Sequence, residues 1–246
     1  MRLQVLEDYE EMSVKAASIV ASQVTLKPDS NLGLATGSTP LGMYNNLIKM
    51  YKKNLINFKE VVTFNLDEYV GLPADHPQSY HYYMFDNFFD KVNIPPEKIY
   101  IPSGVGDDLK QICKKYDQSI NSHGGIDLQV LGIGKNGHIG FNEPDNKLRT
   151  NTHVVKLTEE TINDNSRFFD SIDDVPKKAI SMGMSSIMKS KKILLLASGE
   201  QKAEAIKKAI NGEITTEHPA SLLQLHSDVI ILVDKNAAKL LATTNT

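Results

Sequence analysis

Short apolar runs alternate with amphipathic segments along this chain, and this alternation limits the possible folds more than any other feature. Seven runs have the length and composition of buried strands: Leu3–Leu6, Leu32–Ala35, Val61–Leu66, Ile99–Ile101, Leu128–Ile133, Ile193–Ala197 and Val229–Val233. The segments between and after them predict helices: Tyr9–Val24, Pro40–Lys53, His76–Phe89, Asp107–Ile120, Glu200–Ile210 and Asn236–Leu241. We therefore predict the α/β class, with a mostly parallel sheet and right-handed crossovers that place helices on both faces.

The chain has 246 residues, a length that fits one α/β domain. It contains no repeat, low-complexity tract or Pro/Gly/Ser linker that would separate two domains. The least regular stretch is about 142–190, where polar sequence lies between two predicted strands. Long connections in compact domains are often lids or binding loops. We therefore expect a single domain over 1–246 with a lid-like segment at about 142–190.

Composition and charge exclude several classes of function. The formal net charge of −3 argues against a nucleic-acid binder, because neutralising phosphates requires an excess of Lys and Arg. A single cysteine, Cys113, excludes an intramolecular disulfide and a multi-cysteine metal site. No run approaches the roughly 18 apolar residues of a membrane span, and the N-terminus turns acidic before the apolar run of a signal peptide. We expect a soluble, cytoplasmic protein with a small-molecule partner and with no nucleic-acid or membrane partner.

Ligands of parallel α/β sheets bind at the carboxyl ends of the strands, so the residues that follow each predicted strand are candidates for a site. Thr36–Pro40 (TGSTP) follows the second strand, and Gly37 permits close approach of the backbone to a ligand. Ser38 and Thr39 add hydroxyl groups beside the free N–H groups of a helix start. The motif therefore predicts either a phosphate cradle or an ordinary helix start capped by Ser or Thr. Lys202, after the sixth strand, is either a phosphate ligand or a solvated lysine.

Two adjacent acids, Asp67 and Glu68, follow the third strand. A carboxylate at a strand tip can move a proton on a carbon next to a carbonyl group. An acid at such a position can equally cap a loop or face solvent. The pattern does not distinguish the two acids, because neighbouring side chains of a strand point to opposite faces.

A glycine-rich loop, Gly132–Pro144, follows the fifth strand and contains His138 and Glu143. An imidazole oriented by a carboxylate is a common acid–base pair. The alternative is a glycine-rich turn that carries a surface histidine. A dinucleotide-binding loop fits poorly, because no clean helix opens before the proline that ends the loop.

Five motifs occur in the order and at about the spacing of a known family: ATGSTP (35–40), FNLDEY (64–69), LGIGKNGHIGFNEP (131–144), NSRFF (165–169) and SGEQKAEAI (198–206). Over essentially the whole chain, the sequence resembles the glucosamine-6-phosphate deaminase family. The resemblance implies a single Rossmann-like α/β domain that converts glucosamine 6-phosphate and water into fructose 6-phosphate and ammonia, in amino-sugar catabolism. It implies no metal and no organic cofactor, and the H-x-E…P-C-x-x-C signature of zinc deaminases is absent.

The resemblance also implies roles for the matching residues. Asp67 takes the C2 proton and returns it at C1, while His138 helps to open the sugar ring and Glu143 supports that step. Asn136 stands where some members have Asp; it can orient His138 or bond the substrate but cannot stabilise an imidazolium by charge. The residues that match the phosphate site of the family are Gly37, Ser38, Thr39, Arg167 and Lys202.

Two other functions fit parts of the sequence. A 6-phosphogluconolactonase shares the fold and the phosphate loop but needs no base at C2, so Asp67 and Glu143 favour the deaminase. A sugar-phosphate-sensing domain of a transcription regulator usually carries an N-terminal helix-turn-helix, for which the strand at Leu3–Leu6 leaves no room. The segment Lys147–Val155 lacks the basic cluster of hexameric, allosterically activated members, so we expect a monomer or a small homo-oligomer.

Overall fold

The computed structural model describes residues 1–241, so residues 242–246 of the predicted domain lie outside the described part. The strands are β1 (Arg2–Leu6), β2 (Asn31–Leu34), β3 (Val62–Asn65), β4 (Asp67–Tyr69), β5 (Ile99–Tyr100), β6 (Leu128–Leu131), β7 (His153–Lys156), β8 (Lys178–Ser181), β9 (Lys192–Ala197) and β10 (Val229–Asp234). The helices are α1 (Tyr9–Leu26), α2 (Ser38–Lys52), α3 (Tyr80–Asn87), α4 (Leu109–Ser122), α5 (Glu159–Asn165), α6 (Met184–Met188) and α7 (Ala203–Asn211).

Within residues 1–241, seven parallel strands form the main sheet in the spatial order β1-β10-β9-β6-β2-β3-β5. Helices cover both faces, as the alternating side chains of β9 show. Leu194 and Leu196 belong to one buried cluster with residues of α1 and α2, whereas Ile193 and Leu195 belong to a second cluster with residues of α4 and α7. The predicted fold class is confirmed: the chain forms a single α/β domain with a mostly parallel sheet and helices on both faces.

Strands β9, β6, β2 and β3 are successive neighbours in the main sheet and run in the same direction. Their carboxyl ends therefore lie side by side along one edge. The segments that follow these ends are those predicted to carry the site: the TGSTP loop after β2, the two acids after β3, the glycine-rich loop after β6 and Lys202 after β9. The topology alone brings together motifs that are far apart in the sequence.

A second, antiparallel sheet of order β4-β8-β7 was not predicted from the sequence. The sequence predicts one strand over Val61–Leu66, but β3 ends at Asn65 and β4 starts a new sheet at Asp67, which pairs with Ser181. The three strands have only three or four residues each, so their polarity pattern is too short to recognise. The stretch 142–190 contains β7 and β8 together with α5 and α6.

Three of the predicted helices differ from the structure by more than two residues. The helix predicted at His76–Phe89 is shorter, because Ser79 caps α3 by accepting the N–H of Tyr82. The helix predicted at Glu200–Ile210 begins with a 3₁₀ turn before α7. The pattern at Asn236–Leu241 forms successive hydrogen-bonded turns instead of a helix. Among residues 1–241, no helix combines the length and apolar character needed to cross a membrane.

Candidate active site

A cleft of about 1050 Å³ opens where the carboxyl ends of β2, β3, β6 and β9 meet. Asn136 and Glu143, two of the nine residues predicted for the site, lie behind His138 and contact it. The other seven lie in the wall of the cleft: Gly37, Ser38, Thr39, Asp67, His138, Arg167 and Lys202. In the described part of the chain, no group of three or more His, Cys, Asp or Glu side chains is placed to hold a metal ion.

The loop between β2 and α2 presents a helix start to the cleft. Gly37 directly precedes the first helical residue and has a φ of +92°, in the region that glycine adopts readily. Among the described residues, no side chain caps this helix start, so the alternative of a Ser or Thr cap is wrong. The N–H groups of the first turn, next to the hydroxyls of Ser38 and Thr39, are therefore available to an anion in the cleft.

Two tyrosines that the sequence analysis missed fix the direction of these peptides. The hydroxyl of Tyr83 donates to the carbonyl oxygen of Gly37 at 2.7 Å, and the hydroxyl of Tyr9 donates to that of Ser38 at 2.8 Å. In a trans peptide the carbonyl and the following N–H point in opposite directions. By holding the two carbonyl groups, the tyrosines hold the N–H groups of Ser38 and Thr39 on the opposite side. Nothing in the sequence links the tyrosines of α1 and α3 to this loop.

The adjacent acids Asp67 and Glu68 have different environments, which the sequence pattern could not distinguish. The Glu68 carboxylate accepts the backbone N–H groups of Tyr69, Tyr80 and His81 at 2.8 to 2.9 Å and so anchors the start of α3. Asp67 lies in the wall of the cleft and is only 7% exposed. Asp67 is therefore the candidate for proton transfer, and Glu68 is a structural acid.

Burial changes the proton affinity of Asp67. Desolvation, together with the nearby charge of Glu68, raises the pKa of Asp67 to about 8. An ionised carboxylate with so high a pKa is a much stronger base than an exposed aspartate. A strongly shifted acid in the wall of a cleft is typical of an active site.

The glycine-rich loop after β6 places His138 in the wall of the cleft. Gly137 has a φ of +90°, and a Cβ atom there would overlap the His218 ring, so the loop requires glycine at this position. The side chain of Asn136 accepts the N–H of His138 at 3.2 Å and donates to Oε2 of Glu143 at 2.9 Å. Nδ1 of His138 lies 3.3 Å from the same oxygen. The imidazole and the carboxylate are therefore in contact, and Asn136 connects them.

The Glu143 side chain is buried, with 8% of the residue exposed. Burial raises its pKa, but contacts with His138, Thr161 and Asn136 lower the pKa further than burial raises it, so the net shift is downward. The hydroxyl group of Thr161, a residue that no sequence pattern indicated, donates to Oε1 of Glu143 at 2.5 Å. The carboxylate therefore remains charged at neutral pH beside the imidazole.

Charged side chains from four segments of the chain form another part of the wall. Lys135 of the glycine-rich loop pairs with Asp164 of α5, with Nζ 2.6 Å from Oδ1. Burial lowers the pKa of Lys202; the charges of Lys135 and Arg167 lower it further, and Asp164 opposes them. Lys135 and Arg167 therefore lie close enough to Lys202 to influence its proton affinity. A phosphate group bound there would favour the charged form of Lys202.

The loop that leads to Lys202 is fixed by an acid that the sequence analysis missed. Asp234, the last residue of β10, accepts the hydroxyl proton of Ser198 at 2.5 Å and the N–H of Gly199 at 3.0 Å. This acid is 4% exposed and contributes no atom to the wall of the cleft. Asp234 therefore positions the segment that carries Lys202.

Comparison with known proteins places this geometry among sugar-phosphate enzymes. Residues 7–232 match the sequence profile of a family described as glucosamine-6-phosphate isomerases/6-phosphogluconolactonase. A glucosamine-6-phosphate deaminase of Thermoanaerobacter sp. (strain X514) is 61% identical over 98% of this chain and 95% of its own length. A solved structure of a monomeric glucosamine-6-phosphate deaminase is 50% identical, with a TM-score of 0.96 over 98% of this chain and 100% of that chain. A 6-phosphogluconolactonase of Thermotoga maritima is 20% identical, with a TM-score of 0.75 over 95% of this chain and 99% of that chain, a likeness of fold alone.

Proposed function

The chain belongs to the family of glucosamine-6-phosphate isomerases and 6-phosphogluconolactonases, and from that premise we propose that it converts glucosamine 6-phosphate and water into fructose 6-phosphate and ammonia, a step of amino-sugar catabolism. The observation that carries the proposal is the buried Asp67 carboxyl group in a cleft whose wall also contains a helix start suited to phosphate and the imidazole of His138, which contacts Glu143. A lactonase needs no base that removes a proton from a carbon atom, so Asp67 favours the deaminase.

The phosphate group of the substrate binds at the start of α2. The N–H groups and hydroxyls of Ser38 and Thr39 donate to its oxygens, and the positive end of the helix favours its charge. Lys202 and Arg167 supply cations, and the planar guanidinium group can contact two phosphate oxygens at once. Binding the phosphate fixes one end of the sugar and leaves C1 and C2 for the acid–base groups.

Ring opening uses the glycine-rich loop. His138 takes the proton of the anomeric hydroxyl group and returns a proton to the ring oxygen, which releases the C1 aldehyde. Glu143 stabilises the imidazolium that forms between these two transfers. Asn136, which is uncharged, orients both groups through its two hydrogen bonds.

Proton transfer on carbon uses Asp67. The ionised carboxylate takes the C2 proton while the C2–H electron pair forms a C1–C2 double bond, and the C1 oxygen, which receives the carbonyl electron pair, gains a proton from water, which gives an enolamine. Asp67 then returns a proton to C1, and the electron pair of the amine forms an iminium group at C2. Water adds to C2, and ammonia leaves with its C–N bond pair, so the products are fructose 6-phosphate and ammonia.

Purified protein tests the proposal directly. With glucosamine 6-phosphate it is expected to release one ammonia per fructose 6-phosphate formed, at the same rate with and without a chelator. Glucosamine, which lacks the phosphate, is the matched control and is expected to react far more slowly. Hydrolysis of 6-phosphogluconolactone without any ammonia release from glucosamine 6-phosphate would replace the deaminase with the lactonase.

The raised pKa of Asp67 predicts the pH dependence of the reaction. Since the ionised form is the base, kcat/KM is expected to increase with pH up to about 8, the pKa of Asp67 in the free protein, then to level off, and to fall again only at the alkaline end, where Lys202 loses its proton. At about pH 6 the ionised fraction, and with it kcat/KM, is expected to be about a hundredfold below the plateau. Initial rates measured across this range test the prediction. The same increase of kcat/KM with pH is expected for the reverse reaction, which starts from fructose 6-phosphate. A flat profile between these pH values would contradict it.

We also propose a monomer or a small homo-oligomer that acts in the cytoplasm. The likeness to a monomeric deaminase supports the first part, and a charged sugar phosphate, which does not cross a membrane unaided, supports the second. The segment 142–190 is proposed to move as a lid on binding, because its helix α5 and the following turn contribute Thr161, Asp164 and Arg167 to the wall of the cleft.

A further inference from the structure

The buried Glu143 carboxylate has partners on both oxygens, and they come from different elements. Oε2 faces Asn136 at 2.9 Å and His138 at 3.3 Å, both in the glycine-rich loop. Oε1 accepts the hydroxyl proton of Thr161 in α5 at 2.5 Å. We propose that Thr161 is a positioning residue of the proposed deaminase, whose hydroxyl group holds the Glu143 carboxylate in the orientation that meets His138. This inference rests on the function proposed above.

The direction of the Thr161 hydrogen bond is fixed by its neighbours. Thr158, the residue that caps α5, donates its hydroxyl proton to the Thr161 oxygen at 3.0 Å. A hydroxyl group has one proton to donate. Because the ionised Glu143 carboxylate can only accept, Thr161 donates its one proton to Glu143 and accepts the proton of Thr158. The result is a directed chain of two hydroxyl groups that ends on the carboxylate, in which each bond strengthens the next.

Both contacts are needed to fix the plane of the carboxylate. The last torsion of a glutamate side chain has no sharp minimum, so one hydrogen-bonded oxygen leaves the group free to turn. Thr161 is 4% exposed, which leaves little room for water to replace its hydroxyl group. The titratable group in contact with the carboxylate is His138, and the neutral contacts are Thr161 and Asn136. Without Thr161 the carboxylate would lose both its fixed plane and part of the stabilisation of its charge.

The position of Thr161 also links two parts of the molecule. It lies on α5, in the segment 142–190, whereas His138 lies in the loop after β6. The support of the imidazole is therefore complete only when α5 is packed against the glycine-rich loop. Thr161 makes ring opening depend on the position of the segment proposed to be a lid.

Valine has nearly the shape of threonine but no hydroxyl group, so Thr161→Val tests the inference with little change in packing. It is expected to lower kcat for ammonia release by about tenfold to a hundredfold, the effect of losing a hydrogen bond to a charged group. KM is expected to change little, because phosphate binding is untouched. Thr161→Ser keeps the hydroxyl group and is expected to restore most of kcat.

Thr152→Val is the matched control. Thr152 is also buried, and its hydroxyl group also donates to a carboxylate, that of Asp117, at 2.5 Å, but neither residue lines the cleft. This variant is expected to lose stability while keeping the wild-type kcat. If Thr161→Val behaves like Thr152→Val, or if Thr161→Ser is as slow as Thr161→Val, Thr161 is only structural.

A second readout does not depend on turnover. Carbon-13 NMR titration of the Glu143 carboxyl carbon, assigned with Glu143→Gln, is expected to show a higher pKa in Thr161→Val than in wild type and no change in Thr152→Val. If wild type releases no ammonia, the proposed function fails, whereas an unchanged titration in an active protein overturns this inference alone. Thr161→Ala gives the same comparison if the valine variant does not fold.

Discussion

Replacing Asp67 with asparagine is expected to lower kcat for ammonia release by about a thousandfold, within the range that a positioned general base contributes. Asparagine has nearly the same size but cannot accept the C2 proton. The phosphate contacts proposed for Ser38, Thr39 and Lys202 are untouched, so the affinity for glucosamine 6-phosphate is expected to change little. Steady-state rates and calorimetric titration of the substrate measure the two effects separately, and loss of kcat at unchanged affinity identifies an interaction made only in the transition state.

Asp86→Asn is the control for this variant, because Asp86 lines the same cleft but is exposed. Its kcat is expected to stay close to wild type. In heavy water, deuterium at C1 of fructose 6-phosphate is expected only to the extent that the proton on Asp67 exchanges with solvent before it is returned. Equal losses of binding and turnover in Asp67→Asn would show that Asp67 does not carry the proton.

The same substitution has a predictable effect on stability. Because folding raises the pKa of Asp67 from its ordinary value of 3.8 to about 8, ionisation opposes folding. The stability that the protonated form provides is fully present below the unfolded pKa and is lost as the pH rises through the folded pKa. The amide in Asp67→Asn does not ionise, so the variant is expected to melt at a higher temperature than wild type at about pH 9 and at a similar temperature at about pH 4. A more stable but inactive variant would show that the loss of kcat is not a loss of folding.

The main sheet and the location of the site could be predicted from the sequence. Each depends on the local pattern of apolar residues together with the rule that ligands bind at the carboxyl ends of parallel strands. Each main-sheet strand is marked by its own apolar run, and parallel strands present their carboxyl ends at one edge. The TGSTP loop, Asp67 and His138 follow such ends, and the structure brings them to one cleft. Their chemical roles remain predictions.

Contacts between distant elements could not be predicted. Asp67 and Glu68 have the same local sequence pattern. Their environments differ because the N–H groups at the start of α3 donate hydrogen bonds to Glu68 and not to Asp67. Tyr83 and Thr161 lie on helices whose packing against the loops decides their partners. A hydroxyl group in a helix gives no periodic signal for a hydrogen bond made across the fold. Such contacts follow from tertiary packing, which a single sequence does not specify by pattern.

Lys202→Gln is expected to raise KM for glucosamine 6-phosphate by about tenfold to a hundredfold, because a charge-assisted contact with the phosphate is lost. Lys202 is half-buried in the wall of the cleft, and burial together with Lys135 and Arg167 lowers its pKa. The arriving phosphate favours the charged form, so a proton lost from Lys202 at alkaline pH must be regained on binding. KM of wild type is therefore expected to rise at the alkaline end, and that rise is expected to disappear in Lys202→Gln.

Lys207→Gln is the matched control, since Lys207 is exposed on α7, close to Lys202 in the sequence, and lies outside the wall of the cleft. Its KM is expected to equal that of wild type. Glucosamine provides the complementary control: without a phosphate group to contact, it is expected to react equally slowly with wild type and Lys202→Gln. If the substitution lowers the rate with glucosamine as much as with glucosamine 6-phosphate, Lys202 acts on the sugar or on the fold, and the phosphate must be held by the α2 start and Arg167 alone.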